Sequence, residues 1–384
     1  VTVLKEALVW LLAVPAVAGV AYNLAAAVVT LRFFARAPKS GGPFPPVSVL
    51  KPLHGAQDGL ARTLAQFCRQ DYPGEVQIVF GVHDESDAAV AVVRRLCADM
   101  PEADISLVID QRLHGANRKA SNLINIAEHA RHELLVLSDA DIVVESDYLR
   151  RVVAAMAERG VGAASCLYVG RSDGSFWARL SAMGIDYQFL PSAVLGRALG
   201  MAEPCFGATI AITTRMLDEI GGFAAFADHL ADDYEIGRAV RARGYHIAIP
   251  TLLVAHHCAE TSGRELISHQ LRWNRTVRLI DPLGFAGSMV TYPTAWGLLA
   301  AIVAGFPLWS GALILAILVA RFCLKVCVDA ATGARAGPWW LMPFLDIMSF
   351  GVFLASFTVN TVGWQGRRFR IGADGVILHN SPRG

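Results

Sequence analysis

The sequence has no G-x-x-x-x-G-K-[ST] loop and no G-x-G-x-x-G element after its first strand-like run, so neither a P-loop nor a dinucleotide fold is supported. Charge is scarce as well. Asp, Glu, Lys and Arg make up 17% of the 384 residues and sum to +1, which leaves no broad basic surface for a polyanion and sets nucleic acid aside. The seven cysteines (Cys68, Cys97, Cys166, Cys205, Cys258, Cys323 and Cys327) are odd in number, scattered and without a C-x-x-C pair. That usage fits a reducing compartment and not a disulfide framework. What is abundant is apolar: 54% of residues, above the ~45–50% of ordinary soluble proteins, so part of the chain is expected in a bilayer.

From Ala7 to Leu31 the run ALVWLLAVPAVAGVAYNLAAAVVTL carries no charge. Its length of about 25 residues suffices to cross a hydrocarbon core of ~30 Å and exceeds the apolar core of a signal peptide. Residues 1–34 therefore read as a transmembrane anchor. Arg32, Arg36 and Lys39 follow it, then the breaker-rich APKSGGPFPP, so the positive flank puts the next domain, residues 35–285, on the cytosolic side of an inner membrane. Residues 286–384 hold three more apolar stretches, Ser288 to Phe306, Leu308 to Val328 with Arg321 and Lys325 inside it, and Trp339 to Val362, and then a basic tail. Three full crossings would leave that tail outside, against the positive-inside tendency, so one stretch, the Pro293-containing one or its neighbour after Pro307, is expected to be re-entrant or interfacial.

The middle of the chain alternates. VSVLKPL, EVQIVFGVHDESD, DISLVID and HELLVLSDAD read as strands, and the segments between them place apolar residues at helical spacing. The expected fold is α/β, a parallel sheet covered on both faces, with ligands beyond the carboxyl ends of the strands. Asp84 and the pair Asp139 and Asp141 sit at two such ends.

Asp-x-Asp at a strand end supplies hard oxygen ligands of the kind Mg²⁺ or Mn²⁺ takes when it bridges phosphate oxygens, although Asp is equally a favoured turn residue. In HLADDYEIGRAV, Asp232, Asp233 and Glu235 precede a helical stretch; an aspartate there either caps the helix or is held by it as a proton acceptor. In HQLRWNRTVR, Arg272, Arg275 and Arg278 share a helix face, suited to phosphate oxygens or to a membrane surface. HHC (256–258) lacks a further ligand at zinc spacing and reads as packing in the core or in a substrate loop.

Taken in order, Asp84, Asp139-x-Asp141, GANRKASNL (115–123), GGFAAFADHLADDYEIGRAV (221–240), LRW (271–273) and the tail GWQGRRFRIG resemble the ceramide glucosyltransferase family, which includes hopanoid-associated glycosyltransferases. The resemblance runs from about residue 45 to the end. It implies a GT-A domain, Rossmann-like, with transmembrane helices at both ends, and an inverting transfer from a UDP-sugar to a membrane lipid. It further implies Asp84 against uracil and ribose, Lys119 and Asn122 near the nucleotide, Asp139 and Asp141 with a divalent metal, Mg²⁺ or Mn²⁺, Asp233 as general base, and Arg272 with Trp273 as the end of the last motif. His269 stands where that motif has Gln or Arg, so an imidazole must make its contact. The implied donor sugar is glucose or N-acetylglucosamine and the implied acceptor ceramide or a hopanoid. Two other readings differ in class. A processive polysaccharide synthase shares the motifs but needs a channel of several crossing helices, and a non-catalytic sugar-nucleotide sensor would keep binding without turnover.

Overall fold

The computed structural model describes residues 2–37, 41–172, 174–203, 205–358, 361–364, 367–372 and 375–378. Lys39 of the positive flank lies outside the described residues, as do Gln365, Gly366 and the side chains of Arg367, Arg368 and Arg370 in the basic tail. Ten strands build the middle of the chain: β1 (Val47–Pro52), β2 (Val76–Val82), β3 (Asp104–Ile109), β4 (Leu134–Leu137), β5 (Ile142–Val143), β6 (Val161–Ser165), β7 (Leu167–Ser172), β8 (Ile210–Thr213), β9 (His246–Ala248) and β10 (Leu253–Cys258).

Seven of them form one sheet in the order β3-β2-β1-β4-β8-β6-β9. β1 pairs in parallel with β2 and β4, and β2 with β3, as alternating strands and helices require. Alternate residues of β1 feed two cores: Val47 and Val49 pack on one face, Leu50 on the other. Beyond β4 the parallel reading needs correction, because β8 runs antiparallel to both β4 and β6. The reason is the connection. After β6 the chain passes into β7, then through helices Phe176–Gly184 and Leu190–Ala198 before it returns as β8, so no βαβ crossover fixes the direction of β8. β7 instead joins β5 and β10 in a three-stranded sheet beside the ends of the main one.

Among the described residues two helices are long and apolar enough to cross a membrane, Thr2–Phe34 and Leu308–Thr332. Trp10, Leu11, Val14 and Val17 on the first, and Leu315, Val319, Phe322 and Val326 on the second, are exposed stripes at helical spacing. The Pro293 stretch is a bent pair, Pro282–Thr291 and Pro293–Ala304, meeting at 67°. The third expected stretch is shorter than its apolar run: the helix Met342–Ala355 ends well before Val362, which lies in a small antiparallel sheet of Thr361–Trp364, Arg367–Ile371 and Ile377–Leu378.

The membrane helices and the sheet share one core. Ala26, Ala27 and Phe33 of the first helix, Leu324 and Val328 of the second and Leu345 of the third pack in one cluster with Leu180, Tyr187 and strand residues such as Val79 and Leu135. Polar groups cross the same boundary. Arg321, 3% exposed, pairs with the fully buried Asp346 at 2.6 Å and donates to Asn23 Oδ1 (3.1 Å) and to the Tyr187 carbonyl (3.0 Å). Thr294 and Gln188 donate to the two oxygens of Asp346.

Candidate active site

A cavity of about 420 Å³ opens at the carboxyl ends of β1, β2 and β4. Lys119, Asn122, Asp139, Asp141, Asp233, His269, Arg272 and Trp273 all line it. Asp84 does not: it lies one residue beyond the lining residue His83, exposed, with its carboxylate accepting from the backbone and hydroxyl of Ser86 (2.8 Å each).

The turn after β4 is held from beneath. Lys51, fully buried at the end of β1, donates to the Asp139 carbonyl (2.8 Å) and the Ser138 hydroxyl (3.3 Å), with its ammonium 3.6 Å from the centre of the Phe67 ring. Burial pushes that ammonium down to about 7, against the pull of Asp139 and Asp141. From the side, Lys119 Nζ meets Asp139 Oδ1 at 2.6 Å and Asp232 Oδ2 at 3.7 Å. Burial works against its charge, but Asp139, Asp232 and Asp233 outweigh it and hold Lys119 protonated well above the ordinary lysine range.

Lys119 owes its place to Asn117, which caps the helix Arg118–Ala127 by accepting from the Ala120 amide (3.0 Å) and donates to the His229 carbonyl (2.8 Å). Asn122, a turn later, is a strut. Its amide donates to the Gly81 carbonyl (2.8 Å) at the end of β2 and reaches the Leu53 carbonyl beyond β1 at 3.5 Å.

Asp141 faces a residue that the sequence left as packing in the core or in a substrate loop. His256 Nε2 on β10 lies 3.2 Å from Asp141 Oδ2. Burial opposes an imidazolium there, but Asp141 prevails and lifts His256 well above the usual histidine range; burial would raise Asp141 too, yet His256, with Lys51 and His269, holds it below the carboxylate range. The other oxygen, Asp141 Oδ1, is buried and has no hydrogen-bond partner among the described residues. An orphaned carboxylate oxygen beside Asp139 suits a hard divalent cation. Among the described residues no group of three or more such side chains forms a cation cage on its own. The protein therefore offers part of a coordination sphere, as it does for ions completed by substrate phosphates.

Asp233 occupies the opposite wall. The helix Asp232–Ala242 has Ala231 at its N-cap, without a side-chain bond, so capping does not claim Asp232 or Asp233. Asp233 Oδ1 accepts from the Tyr234 amide and Oδ2 from the Gly207 amide, both at 2.8 Å. Burial and the neighbouring Asp232 raise its carboxyl to about 6, against Lys119 and the two amides. Gly207 is where the walls meet: a Cβ there would lie 2.9 Å from Lys119 Nζ, 3.0 Å from Asp139 Oδ2 and 3.4 Å from Asp233 Oδ2. Only a residue without a side chain leaves that space open.

The helix Gly263–Ile280 closes the cavity. Ser262 caps it, and Glu265 reaches back to the backbone and hydroxyl of Thr261. Burial lowers Arg272, while Asp141 and Asp139 pull it back toward full charge. His269 Nδ1 bonds to the buried Glu260 at 2.8 Å, Glu260 also accepts from Ser181 (2.9 Å), and the His269 ring packs edge-on against Trp273 with centres 4.4 Å apart. Burial lowers His269, aided by Arg272 and His256 and opposed by Glu260. A neutral ring that donates from Nδ1 to a carboxylate keeps Nε2 as an acceptor. Tyr168 on β7, stacked on Phe189 at 4.5 Å, adds an aromatic wall.

Sequence reasoning missed Lys51 and Glu260, and read His256 only as packing in the core or in a substrate loop. Lys51 did leave a signal, a lone charge inside a buried strand; His256 left only its neighbours His257 and Cys258.

The comparisons agree with this architecture. The model for glycosyl transferase family 21 matches residues 8–377. Ceramide glucosyltransferase 1 of Caenorhabditis elegans is 26% identical over 230 residues, 60% of this chain and 49% of the relative. Ceramide glucosyltransferase 3 of the same organism is 25% identical over 269 residues, 64% and 55% respectively. The β-monoglucosyldiacylglycerol synthase of Synechocystis is 26% identical over 186 residues, 47% and 37%. The chain thus spans about half the length of the ceramide glucosyltransferases it matches. Among solved structures, the mannosyltransferase PcManGT of Pyrobaculum calidifontis, in complex with GDP-Man and Mn²⁺, superposes with a TM-score of 0.52 at 20% identity, over 90% of this chain and 99% of that one. That likeness speaks for the fold, a GT-A domain, in a chain that carries apolar helices in its amino-terminal and carboxy-terminal regions. With a mixed sheet, a carboxylate-rich crevice at its strand ends and a family match over nearly its whole length, the chain belongs to glycosyl transferase family 21.

Proposed function

We propose that the chain transfers a hexose, glucose or N-acetylglucosamine, from a UDP-sugar to a hydroxyl of a membrane lipid, with inversion at the anomeric carbon. The observation that carries this reading is the convergence of Asp139, Asp141, Lys119, Arg272 and Asp233 on one cavity, in a domain whose core continues into apolar helices. Asp233, fixed by two amides and raised to about 6, takes the proton from the lipid hydroxyl as its oxygen bonds to the anomeric carbon. The bond from that carbon to the diphosphate breaks, and UDP leaves with the electron pair. Lys119 and Arg272 face the charge that grows on the departing diphosphate. Asp139 and Asp141 would hold a divalent cation, Mg²⁺ or Mn²⁺, which supplies further positive charge to the phosphate oxygens when bound. Asn122 and Lys51 support the strand ends. Asp84, at the rim, is assigned to the nucleoside.

The relatives' names, ceramide glucosyltransferase and glucosyldiacylglycerol synthase, support a lipid acceptor and a glucosyl donor. The orientation assigned is multi-pass in the inner membrane with the catalytic domain cytosolic, which rests on Arg32 and Arg36 after the first helix. Membranes carrying the chain are expected to convert UDP-glucose or UDP-N-acetylglucosamine, with ceramide, diacylglycerol or bacteriohopanetetrol, to a glycolipid identified by mass. The hopanoid tetrol with N-acetylglucosamine is the alternative pair. Absence of transfer to every lipid acceptor would refute the proposal.

A further inference from the structure

A second cleft, of about 470 Å³, lies where the amino-terminal helix ends and shares no lining residue with the first cavity. Its walls are Val29 and Phe33 of that helix and Val194 of the helix Leu190–Ala198; its cations are Arg32, Arg36 and Arg197, and Glu203 is its one acid among the described residues. Arg32 and Arg36 are one turn apart on one face. Arg36 lies 5.6 Å over the Phe33 ring, and its charge, together with burial, lowers Arg197. Among the described residues none of the three arginines forms an ion pair with a carboxylate. Glu203 on the rim is engaged by Arg241 at 2.9 Å, and Glu158 is the other acid whose charge reaches Arg197.

Arg36 and Arg197 repel one another across the cleft, and with Glu203 engaged by Arg241 the guanidinium groups there remain suited to a further anion. The surroundings name the kind of anion. Val28 and Leu31 on the first helix and Leu199 and Met201 after the second are exposed apolar residues beside the cleft, and Arg32 is the first charge after the apolar run, the depth at which headgroups meet hydrocarbon. Guanidinium forks match phosphate oxygens, and apolar walls match glycerol and acyl carbons. We propose that this cleft binds the phosphoryl headgroup of an anionic lipid, which braces the end of the membrane helix against Leu190–Ala198. The site stands independently of the transfer reaction.

The test uses the full chain, delipidated in detergent and examined by native mass spectrometry with dioleoylphosphatidylglycerol, dioleoylphosphatidylcholine or inorganic phosphate. Retention of phosphatidylglycerol over phosphatidylcholine is expected, with millimolar phosphate failing to displace it. Arg36→Gln with Arg197→Gln should weaken that retention by about 25-fold, roughly fivefold per arginine. The corresponding pair of Lys substitutions, which keeps the charge, should lose much less, and that contrast separates loss of the site from loss of the fold. Displacement of the lipid by free phosphate would reassign the cleft to phosphate itself and overturn the lipid source. Equal retention of both lipids, or unchanged retention in the Gln pair, would overturn the site.

Discussion

At the scale of single residues, Asp233 has both oxygens committed to amides and a carboxyl near 6. As the base it must be ionised, so kcat/KM is expected to fall about tenfold per pH unit below that value. Asp232 raises Asp233, so Asp232→Asn removes a like charge and should move the acidic limb to lower pH; a limb that moves up or stays put would take the base role from Asp233. Asp233→Asn should cost roughly 10²–10⁴ in turnover while calorimetry still detects UDP binding, whereas a sugar-nucleotide sensor would keep its cellular function in that variant. Gly207→Ala places a methyl against Lys119, Asp139 and Asp233 and is expected to abolish transfer with little change in the unfolding midpoint. A methyl tolerated in both assays would mean that the crevice is not used at that point. Motif order, through the family resemblance, brought Asp139, Asp141, Asp233 and Arg272 to one crevice, where spacing alone had left a turn and a helix cap open, and Asp84 falls outside the lining. Lys51 and His256 were not legible, because their meaning comes from what they are buried against, and one-dimensional spacing carries no burial.

At the scale of elements, the parallel half of the sheet was legible from alternating strand and helix periods, while the reversal at β8 was not. Strand direction depends on where the intervening helices dock, and those helices dock on the membrane side. The segment Ile185–Phe189 is a π-helical turn, the local widening that often marks a functional position. From it Asp186 takes the Gly170 amide of β7 (2.7 Å), Tyr187 offers its carbonyl to Arg321, Gln188 reaches Asp346 and Phe189 stacks on Tyr168. Burial lifts the Asp186 carboxyl to about 7. Arg321→Leu leaves Asp346 buried without its cation and should cost about 3–5 kcal/mol, read as a lowered unfolding midpoint in detergent. Arg321→Leu with Asp346→Leu should recover much of that loss, since no charge is then left unpaired. A double variant no more stable than the single one would show that the pair is worth more than its desolvation.

At the scale of the whole molecule, the composition announced a membrane protein and the apolar runs located its helices, but nothing in the sequence said that catalytic and membrane parts share one core. That fact emerges only when Phe33, Leu324 and Leu345 are found in the same cluster as Leu135. A chain beginning at residue 41 would uncover the partners of Ala26, Ala27 and Phe33, among them Val194 and Leu195. It is expected to aggregate in detergent-free buffer; a monodisperse folded monomer on size exclusion would show that the first helix is dispensable to the fold. The Arg321 hub carries this continuity into the active site. Arg321 holds the π-helical turn, and the same turn sets Phe189 on Tyr168, so the membrane helix and the aromatic wall share one rigid element. A bilayer too thick or too thin for the helices strains them by fractions of a kcal/mol per ångström, and Arg321, Tyr187 and Phe189 form an unbroken run of contacts from those helices to the aromatic wall of the crevice.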